Sequence, residues 1–248
     1  MAIEFLNAGN IQPEYTSWFF YGGTRSGKTT AASTFPRPLF IQPKLEDSQI
    51  TLQGMAHVDY IFTWGIERTN EILIELEARS AKAQALWAKN TDEAIAEGDA
   101  LFPWQTIVVE SLTHYCDHLV EELTRGSMLD MDQQKWGKLS SHLRNIHARL
   151  RSLPVHIVYV ALDKRIHNKK GDLVGADFAF PGQQSERLPS ACGSVVHFER
   201  IPGNPRDIFR AHLAKHSVFA AGTRYKVLRG IKKLEPFDWS GIATKLGW

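Results

Sequence analysis

The residues with the most specific chemistry form a glycine-rich turn near the start of the chain, with the sequence GGTRSGKT. Gly22, Gly27, Lys28 and Thr29 have the spacing G-x-x-x-x-G-K-[ST] of a phosphate-binding loop. Glycines let backbone N–H groups wrap closely around a polyphosphate, because a residue without a Cβ adopts positive φ at no steric cost. The pattern therefore predicts a nucleoside triphosphate site at this turn.

Two polar residues of the turn have distinct predicted roles. Lys28 reaches the β- and γ-phosphates as a point charge, and the Thr29 hydroxyl ligates a Mg²⁺ ion that bridges the same phosphates. The helix that begins here turns the positive end of its dipole toward the anion. We predict that ATP and Mg²⁺ bind to nine consecutive residues: Gly22, Gly23, Thr24, Arg25, Ser26, Gly27, Lys28, Thr29 and Thr30.

A second candidate catalytic residue beside Lys28 is Glu110, which directly follows the apolar run Thr106–Val109. In phosphate-loop ATPases an acid at the end of a buried strand holds Mg²⁺ through water, opposite the threonine. Aspartate is usual at this place, and a glutamate can also polarise the attacking water. A third role is a cap for the helix that starts at Leu112. The sequence leaves these roles for Glu110 open.

These residues require a scaffold of buried strands and covering helices. Short apolar runs typical of buried parallel strands occur at Trp18–Tyr21, Pro38–Ile41, Val58–Trp64, Thr106–Val109 and Val155–Leu162. Helices are predicted between them, at Thr29–Ser33, Thr69–Lys89, Leu112–Leu123 and Gln133–Arg151. Alternating runs at Val195–Arg200, Asp207–Ala214 and Arg224–Arg229 predict strands that are at least partly antiparallel. We predict an α/β fold with a mostly parallel central sheet, flanked by helices and extended by antiparallel strands at the C-terminal end.

Composition limits the classes of protein that the chain can belong to. Hydrophobic and charged fractions of 43% and 23% are those of a globular protein. No apolar run approaches the ~20 residues of a membrane span, and no signal sequence is evident. We therefore expect a cytoplasmic protein without a membrane partner, in a single domain over residues 1–248 with an irregular lead-in at 1–16. Cys116 and Cys192 are expected to be buried thiols.

The order and spacing of these segments resemble the RecA-like recombinase core, and more closely the phage ATP-binding proteins of the Sak type, which are RecA-like single-strand annealing proteins. The likeness extends from Trp18 to Leu228 and includes the segments Phe20–Thr30 and Thr106–Thr113. It implies a RecA-like P-loop ATPase, ATP and Mg²⁺ as cofactors, single-stranded DNA as a partner, and a homo-oligomer with nucleotide near subunit boundaries. A phage-encoded protein of this kind would lie in the cytoplasm of the bacterial host.

The same likeness implies that Arg125–Asp132 and Asp163–Ser190 are DNA-facing loops. The second segment carries four bases within eight residues, and phenylalanines follow in a glycine-bearing stretch. Such bases neutralise phosphates, and such rings stack on nucleobases. The residues also fit a solvated hairpin with a K-K-G-D turn and two core phenylalanines. The candidate DNA-binding residues are Lys164, Arg165, Lys169, Lys170, Phe178 and Phe180.

The chain departs from the RecA-like pattern at three places. Gln42–Lys44 stands where a catalytic glutamate is usual, with Glu46 and Asp47 a little beyond it. Leu162 stands where a polar γ-phosphate sensor is expected, which leaves Asp163 or Lys164 as substitutes. Gly222 stands where a lysine that acts across a subunit boundary is common in the Sak type. These departures bear on the rate of hydrolysis more than on ATP binding. The remaining candidates for the trans-subunit role are Arg224, Lys226 and Arg229.

Other functions remain open at this level. One is a nucleotide-gated assembly or scaffold ATPase without a DNA role. Another is a small-molecule or nucleotide kinase, although no arginine-rich lid between helices is visible. His114 and His118 have the i, i+4 spacing of zinc ligands, but no H-E-x-x-H pattern or second ligand pair accompanies them.

Overall fold

The computed structural model describes residues 14–44, 47–126, 130–179 and 184–247. Within these ranges the strands are β1 Ser17–Gly22, β2 Pro38–Pro43, β3 Asp59–Thr63, β4 Thr106–Val109, β5 His156–His167, β6 Leu173–Phe178, β7 Ser194–Ile201, β8 Ile208–His212, β9 Gly222–Thr223 and β10 Lys233–Leu234. The α-helices are α1 Lys28–Ser33, α2 Ile66–Trp87, α3 Asp92–Leu101, α4 Leu112–Thr124, α5 Gln133–Arg151, α6 Gln184–Ala191 and α7 Trp239–Leu246. Short 3₁₀ helices span Asp47–Leu52 and Lys226–Leu228.

All of these strands join one sheet with the order β10-β8-β7-β1-β5-β4-β2-β3, to which β6 adds on β5 and β9 on β7. Every pairing from β7 across to β3 is parallel. The pairings of β8, β10, β6 and β9 are antiparallel. The predicted fold class is therefore confirmed. Because β1 lies between β5 and β7, the phosphate loop leaves the sheet from one of its central strands.

Strand β1 is buried on both faces and separates two apolar clusters. Phe19 and Tyr21 pack against the face covered by α2, α4 and α5, whereas Trp18 and Phe20 face α1 and α7. All four side chains are fully buried. Successive residues of a strand point to opposite faces, so this apolar run supplies both cores at once. Burial of each ring contributes roughly 2–3 kcal/mol, which fixes the strand that carries the phosphate loop.

Local signals explain where several helices begin. The Thr91 hydroxyl accepts a hydrogen bond from the Ala94 N–H at the start of α3, and the Asp132 carboxylate accepts one from the Lys135 N–H at the start of α5. Helix α3 was not predicted, because its sequence DEAIAEGDAL has little apolar periodicity. A part-buried ion pair of Arg149 with Glu77, with nitrogen–oxygen distances of 2.6 and 2.7 Å, joins α5 to α2.

The structure corrects three other predictions. The segment at 163–190 is not a single loop: β5 continues to His167, β6 returns antiparallel to it, and α6 follows. The segment Arg224–Arg229 is not a strand; it contains a 3₁₀ turn whose Leu228 packs into the cluster around Trp18. Trp64, the last residue of the run Val58–Trp64 that was predicted to be a buried strand, is 53% exposed just after the edge strand β3.

None of the helices in the described ranges has the length and apolar character of a membrane span.

Candidate functional site

The turn after β1 has the backbone of a phosphate-binding loop at two glycines. Gly27 is the N-cap of α1 and has φ 92°, in the left-handed region. Gly22 has φ 152°, and a Cβ built on it would lie 2.1 Å from the carbonyl oxygen of Phe198 on β7. Both positions therefore require glycine, one for conformation and the other chiefly for space.

Lys28 is held inside this turn. Its side chain is buried, and its Nζ donates hydrogen bonds to the carbonyl oxygens of Gly22 at 2.9 Å and Gly23 at 2.7 Å. The Ser26 hydroxyl lies 3.3 Å from the same Nζ. The ammonium group is thus positioned at the centre of the turn before any anion arrives, which lowers the entropy cost of binding a phosphate.

Glu110 lies against the start of α1. Its backbone N–H donates to the Ile41 carbonyl oxygen at 3.1 Å, which continues the β4–β2 pairing by one residue. Its side chain is buried, and the Thr29 hydroxyl donates a hydrogen bond to Glu110 Oε1. Ser111 is the N-cap residue of α4, so Glu110 is not the cap. A hydroxyl and a carboxylate in contact form an oxygen donor set of the kind that Mg²⁺ prefers.

A cavity of about 310 Å³ opens beside this pair. Its walls come from the turn Thr24–Thr29, from Glu110 and Ser111, from Val160 and Leu162 on β5, and from Asp47 and Thr51 in the 3₁₀ helix after β2. Sequence reasoning missed Thr51, whose spacing from the glycine-rich turn gives no signal. Leu162 presents an apolar side chain at the position where a polar sensor was expected.

The Asp163 carboxylate lies behind the phosphate loop, next to Leu162. Its Oδ2 is 3.7 Å from His197 Nε2 and 3.6 Å from Arg165 Nε. Burial acts to raise the pKa of the Asp163 carboxyl, but His197, Arg165 and Lys28 outweigh burial and hold that pKa below its usual value. The Asp163 carboxylate therefore keeps its negative charge and interacts electrostatically with Lys28.

Comparison with protein families identifies this site as part of a known kind of domain. A family model described as AAA domain matches residues 14–225, which include the turn, Glu110 and Asp163. The chain belongs to the AAA domain family. This is a P-loop AAA-type ATPase family, and its membership supports nucleotide binding and ATPase activity. Such domains generally bind ATP with Mg²⁺. No curated protein matches the chain.

In the structure of this AAA domain, the described residues that were predicted to bind DNA fall into three groups according to their exposure and contacts. Lys164, Lys169 and Lys170 are exposed on the β5–β6 hairpin. Arg165 is also exposed but reaches back to the phosphate loop, where its Nη2 lies 3.2 Å from the position of a Cβ built on Gly23. Phe180 lies outside the described residues.

Phe178 forms the third group, and its predicted role in base stacking is wrong. It is buried, with ring centroids 4.8 Å from Phe19 and 4.4 Å from Tyr21. Alternation along β6 turns this side chain into the core, so it cannot stack on a nucleobase without leaving its neighbours. For Phe178, the hairpin interpretation with a core phenylalanine fits the structure.

The trans-subunit candidates of the AAA domain lie on the segment after β9. Arg224, Lys226 and Arg229 are exposed, and Arg224 Nη2 donates to the Ser190 carbonyl oxygen at 2.6 Å. The histidine pair on α4 gives no metal site: among the described residues, no group of three or more His, Cys, Asp or Glu side chains could hold a metal ion.

Proposed function

We propose that this AAA domain binds and hydrolyses ATP at Lys28, Thr29 and Glu110, and acts on single-stranded DNA through the β5–β6 hairpin as a homo-oligomer in the cytoplasm. The observation that carries the proposal is the position of Arg165. It belongs to the basic hairpin, yet its guanidinium lies against Gly23 of the phosphate loop. One residue thus links the nucleotide site to the surface with the predicted DNA contacts.

The ATP site is proposed from the donors that the fold brings together. Lys28 and the backbone of residues 22–30 would hold the phosphates, and Thr29 and Glu110 would hold Mg²⁺, Glu110 through water. Bound Mg²⁺ would neutralise charge on the β- and γ-phosphates. The alternative role for the buried Glu110 carboxylate is to order and polarise the attacking water, and both roles are not assigned to it at once. The apolar Leu162 at the sensor position favours slow hydrolysis.

The DNA contact is proposed from the surface of the hairpin. Lys164, Lys169 and Lys170 project from it, and Ile166 and Val174 are 46% and 50% exposed beside them. Bases and apolar side chains on one exposed ribbon suit a strand that offers both phosphates and bare base faces. Since phosphate contacts and stacking on base faces do not depend on base identity, binding should be sequence-tolerant.

ATP would change DNA affinity through the boundary between the two regions. A γ-phosphate bound at the turn would attract the Arg165 guanidinium and repel the Asp163 carboxylate, both of which lie near Gly23, and this would bias the base of the hairpin toward one arrangement. Annealing or recombination is the proposed process. The exposed side chains of Arg224, Lys226 and Arg229 are available to a nucleotide on a neighbouring subunit, which supports the homo-oligomer.

Titration of a fluorescent oligo-dT, with and without ATP, tests this proposal. We expect binding that strengthens with ATP and weakens with salt. Joint Lys169→Glu and Lys170→Glu changes should lower the salt slope by about 1.4, since each lost phosphate contact on a single strand removes about 0.7. Joint Lys82→Glu and Lys89→Glu changes on exposed positions of α2 and its end alter net charge equally and should have little effect.

Two results would overturn parts of the proposal. Oligomerisation that depends on ATP, without DNA affinity, would favour the scaffold ATPase. Phosphoryl transfer to an added nucleoside monophosphate would favour a kinase. ATP binding is tested separately by Lys28→Ala, which should weaken ATP affinity about a hundredfold or more, because three hydrogen-bonding partners and the phosphates lose the ammonium group. Undiminished affinity would contradict the ATP site.

A further inference from the structure

An exposed phenylalanine lies directly against the phosphate loop. Phe209, on β8, is 41% exposed, and a Cβ placed on Gly27 would come within 3.2 Å of its ring. The ring thus packs on the bare Cα of Gly27 at the start of α1. Two other large aromatic side chains exposed in the described ranges, Tyr60 and Trp64, lie on or just after β3, at the far edge of the sheet.

Strand register places the Phe209 ring on the face of the sheet that α1 covers. Ala211, two residues later on β8, packs in the same apolar cluster as Ala31 and Ala32 of α1. Alternate residues of a strand share a face, so Phe209 projects to this face as well. Arg200 on β7 is its cross-strand neighbour and is also exposed.

The Thr29–Glu110 pair sets the direction in which a bound nucleotide would run. Glu110 follows β4, and β5 and β4 lie on one side of β1, whereas β7 and β8 lie on the other. A triphosphate whose metal-bridged β- and γ-phosphates lie at this pair has its nucleoside at the opposite end. Phe209 packs on Gly27 from the β8 side of the turn, so its exposed ring would lie on the side of the nucleoside.

We propose that Phe209 is the platform on which the base of the bound nucleotide stacks, an assignment that rests on the proposed ATP site. Stacking uses the π-face that every base has, so this contact adds affinity without choosing between bases. The ligand class is therefore a nucleoside triphosphate, and ATP and GTP should gain equally from the ring.

The experiment compares Mg–ATP with Mg–tripolyphosphate, which has the phosphates without the nucleoside, by calorimetric titration. Phe209→Leu should raise the Kd for ATP about tenfold, since a stacked base contributes on the order of a tenfold or larger gain, and should leave tripolyphosphate binding unchanged. Phe209→Tyr should retain the affinity for ATP. Ile208→Ala is the matched control, because Ile208 is 41% exposed on the opposite face of β8.

Other outcomes would overturn the platform. Equal losses for both ligands in Phe209→Leu would mean that the ring only supports Gly27, and no loss for ATP would mean that the base lies elsewhere. Both results leave the proposed ATP site standing if wild type binds tripolyphosphate and Lys28→Ala does not. A wild-type protein that binds neither ligand would overturn the ATP site, and the platform with it.

Discussion

Strand β5 serves two regions with opposite properties. Its first six residues, 156–161, are buried between β1 and β4, whereas residues 164–167 are exposed and pair with β6. The buried half fixes the sheet beneath the phosphate loop, and the exposed half carries Lys164 and leads into the turn with Lys169 and Lys170, the bases proposed to contact DNA. Burial, more than distance along the chain, therefore separates the two proposed functions. Asp163 and Arg165 lie at the boundary and contact both regions.

The largest effect should come from Glu110→Gln, which changes the nucleotide side alone. Glutamine cannot accept a proton from water or supply negative charge to a metal, so we expect kcat for ATP hydrolysis to fall about a hundredfold or more. DNA binding without nucleotide should be unchanged. Steady-state phosphate release measures the first and oligo-dT titration the second. Glu121→Gln, an exposed position on α4, is the control, and an equal loss there would exclude a specific role.

The buried half of β5 should make stability depend on pH through His156. Burial lowers the pKa of His156 to about 4. Below about pH 6.5, His156 is therefore protonated in the unfolded chain but stays neutral in the folded protein. The contribution of His156 to the free energy of unfolding is complete above pH 6.5 and decreases as the pH falls toward 4. We expect a loss of roughly 2 kcal/mol from this group.

Chemical denaturation at pH 7 and pH 4.5 measures this dependence. His156→Gln should remove about that much of it. His167→Gln, in the exposed half of the same strand, is the control and should keep the wild-type dependence. If both variants behave like wild type, His156 is not the titrating group.

The buried part of the sheet near the proposed nucleotide site also contains a buried polar side chain, whereas the polar side chains of the hairpin are mostly exposed. Gln42, at the end of β2, is fully buried, and neither atom of its amide has a hydrogen-bond partner among the described residues. Such a group costs stability, so Gln42→Leu should raise the free energy of unfolding by about 1 kcal/mol without nucleotide. Gln53→Leu, at an exposed site, is the control for this denaturation experiment. Destabilisation would mean that ordered water satisfies the amide.

The smallest effect should appear at the boundary. Arg165→Ala removes the guanidinium beside Gly23, so the ratio of DNA affinities with and without ATP should fall about threefold, in line with a weak exposed contact. Lys164→Ala should weaken DNA binding equally in both states. Anisotropy titrations at one salt concentration give both ratios. An unchanged ratio in Arg165→Ala would remove this residue from the coupling.

Sequence patterns predicted the buried parts of the molecule better than the exposed parts. The apolar run Thr106–Val109 matches β4, and Gln133–Arg151 matches α5, because burial on defined faces leaves periodic apolar residues. The short α7 was missed, since eight residues after the Asp238 cap carry too few turns to show a period. The prediction of a loop at 163–190 failed because most residues of 164–177 are polar or exposed and show no apolar alternation, so the pairing of β5 with β6 leaves no pattern in the sequence.

The site divides along the same line. The glycine-rich turn and Glu110 were found because spacing in sequence defines the first, and the end of an apolar run defines the second. The contact of Arg165 with Gly23 and the position of Phe209 on Gly27 depend on how β5 and β8 lie against the turn. The sequence around Arg165 or Phe209 contains no pattern that could predict these contacts, because each contact joins residues far apart in the chain.

The close approach of Phe198 to Gly22 has a consequence for choosing an inactive variant. Any side chain at Gly22 would collide with the backbone of β7, 2.1 Å away, before it met a phosphate. Alanine there would disturb the joint between two central strands, and lost activity would report misfolding. A knockout meant to report on nucleotide alone should therefore alter the ammonium group and leave this glycine intact.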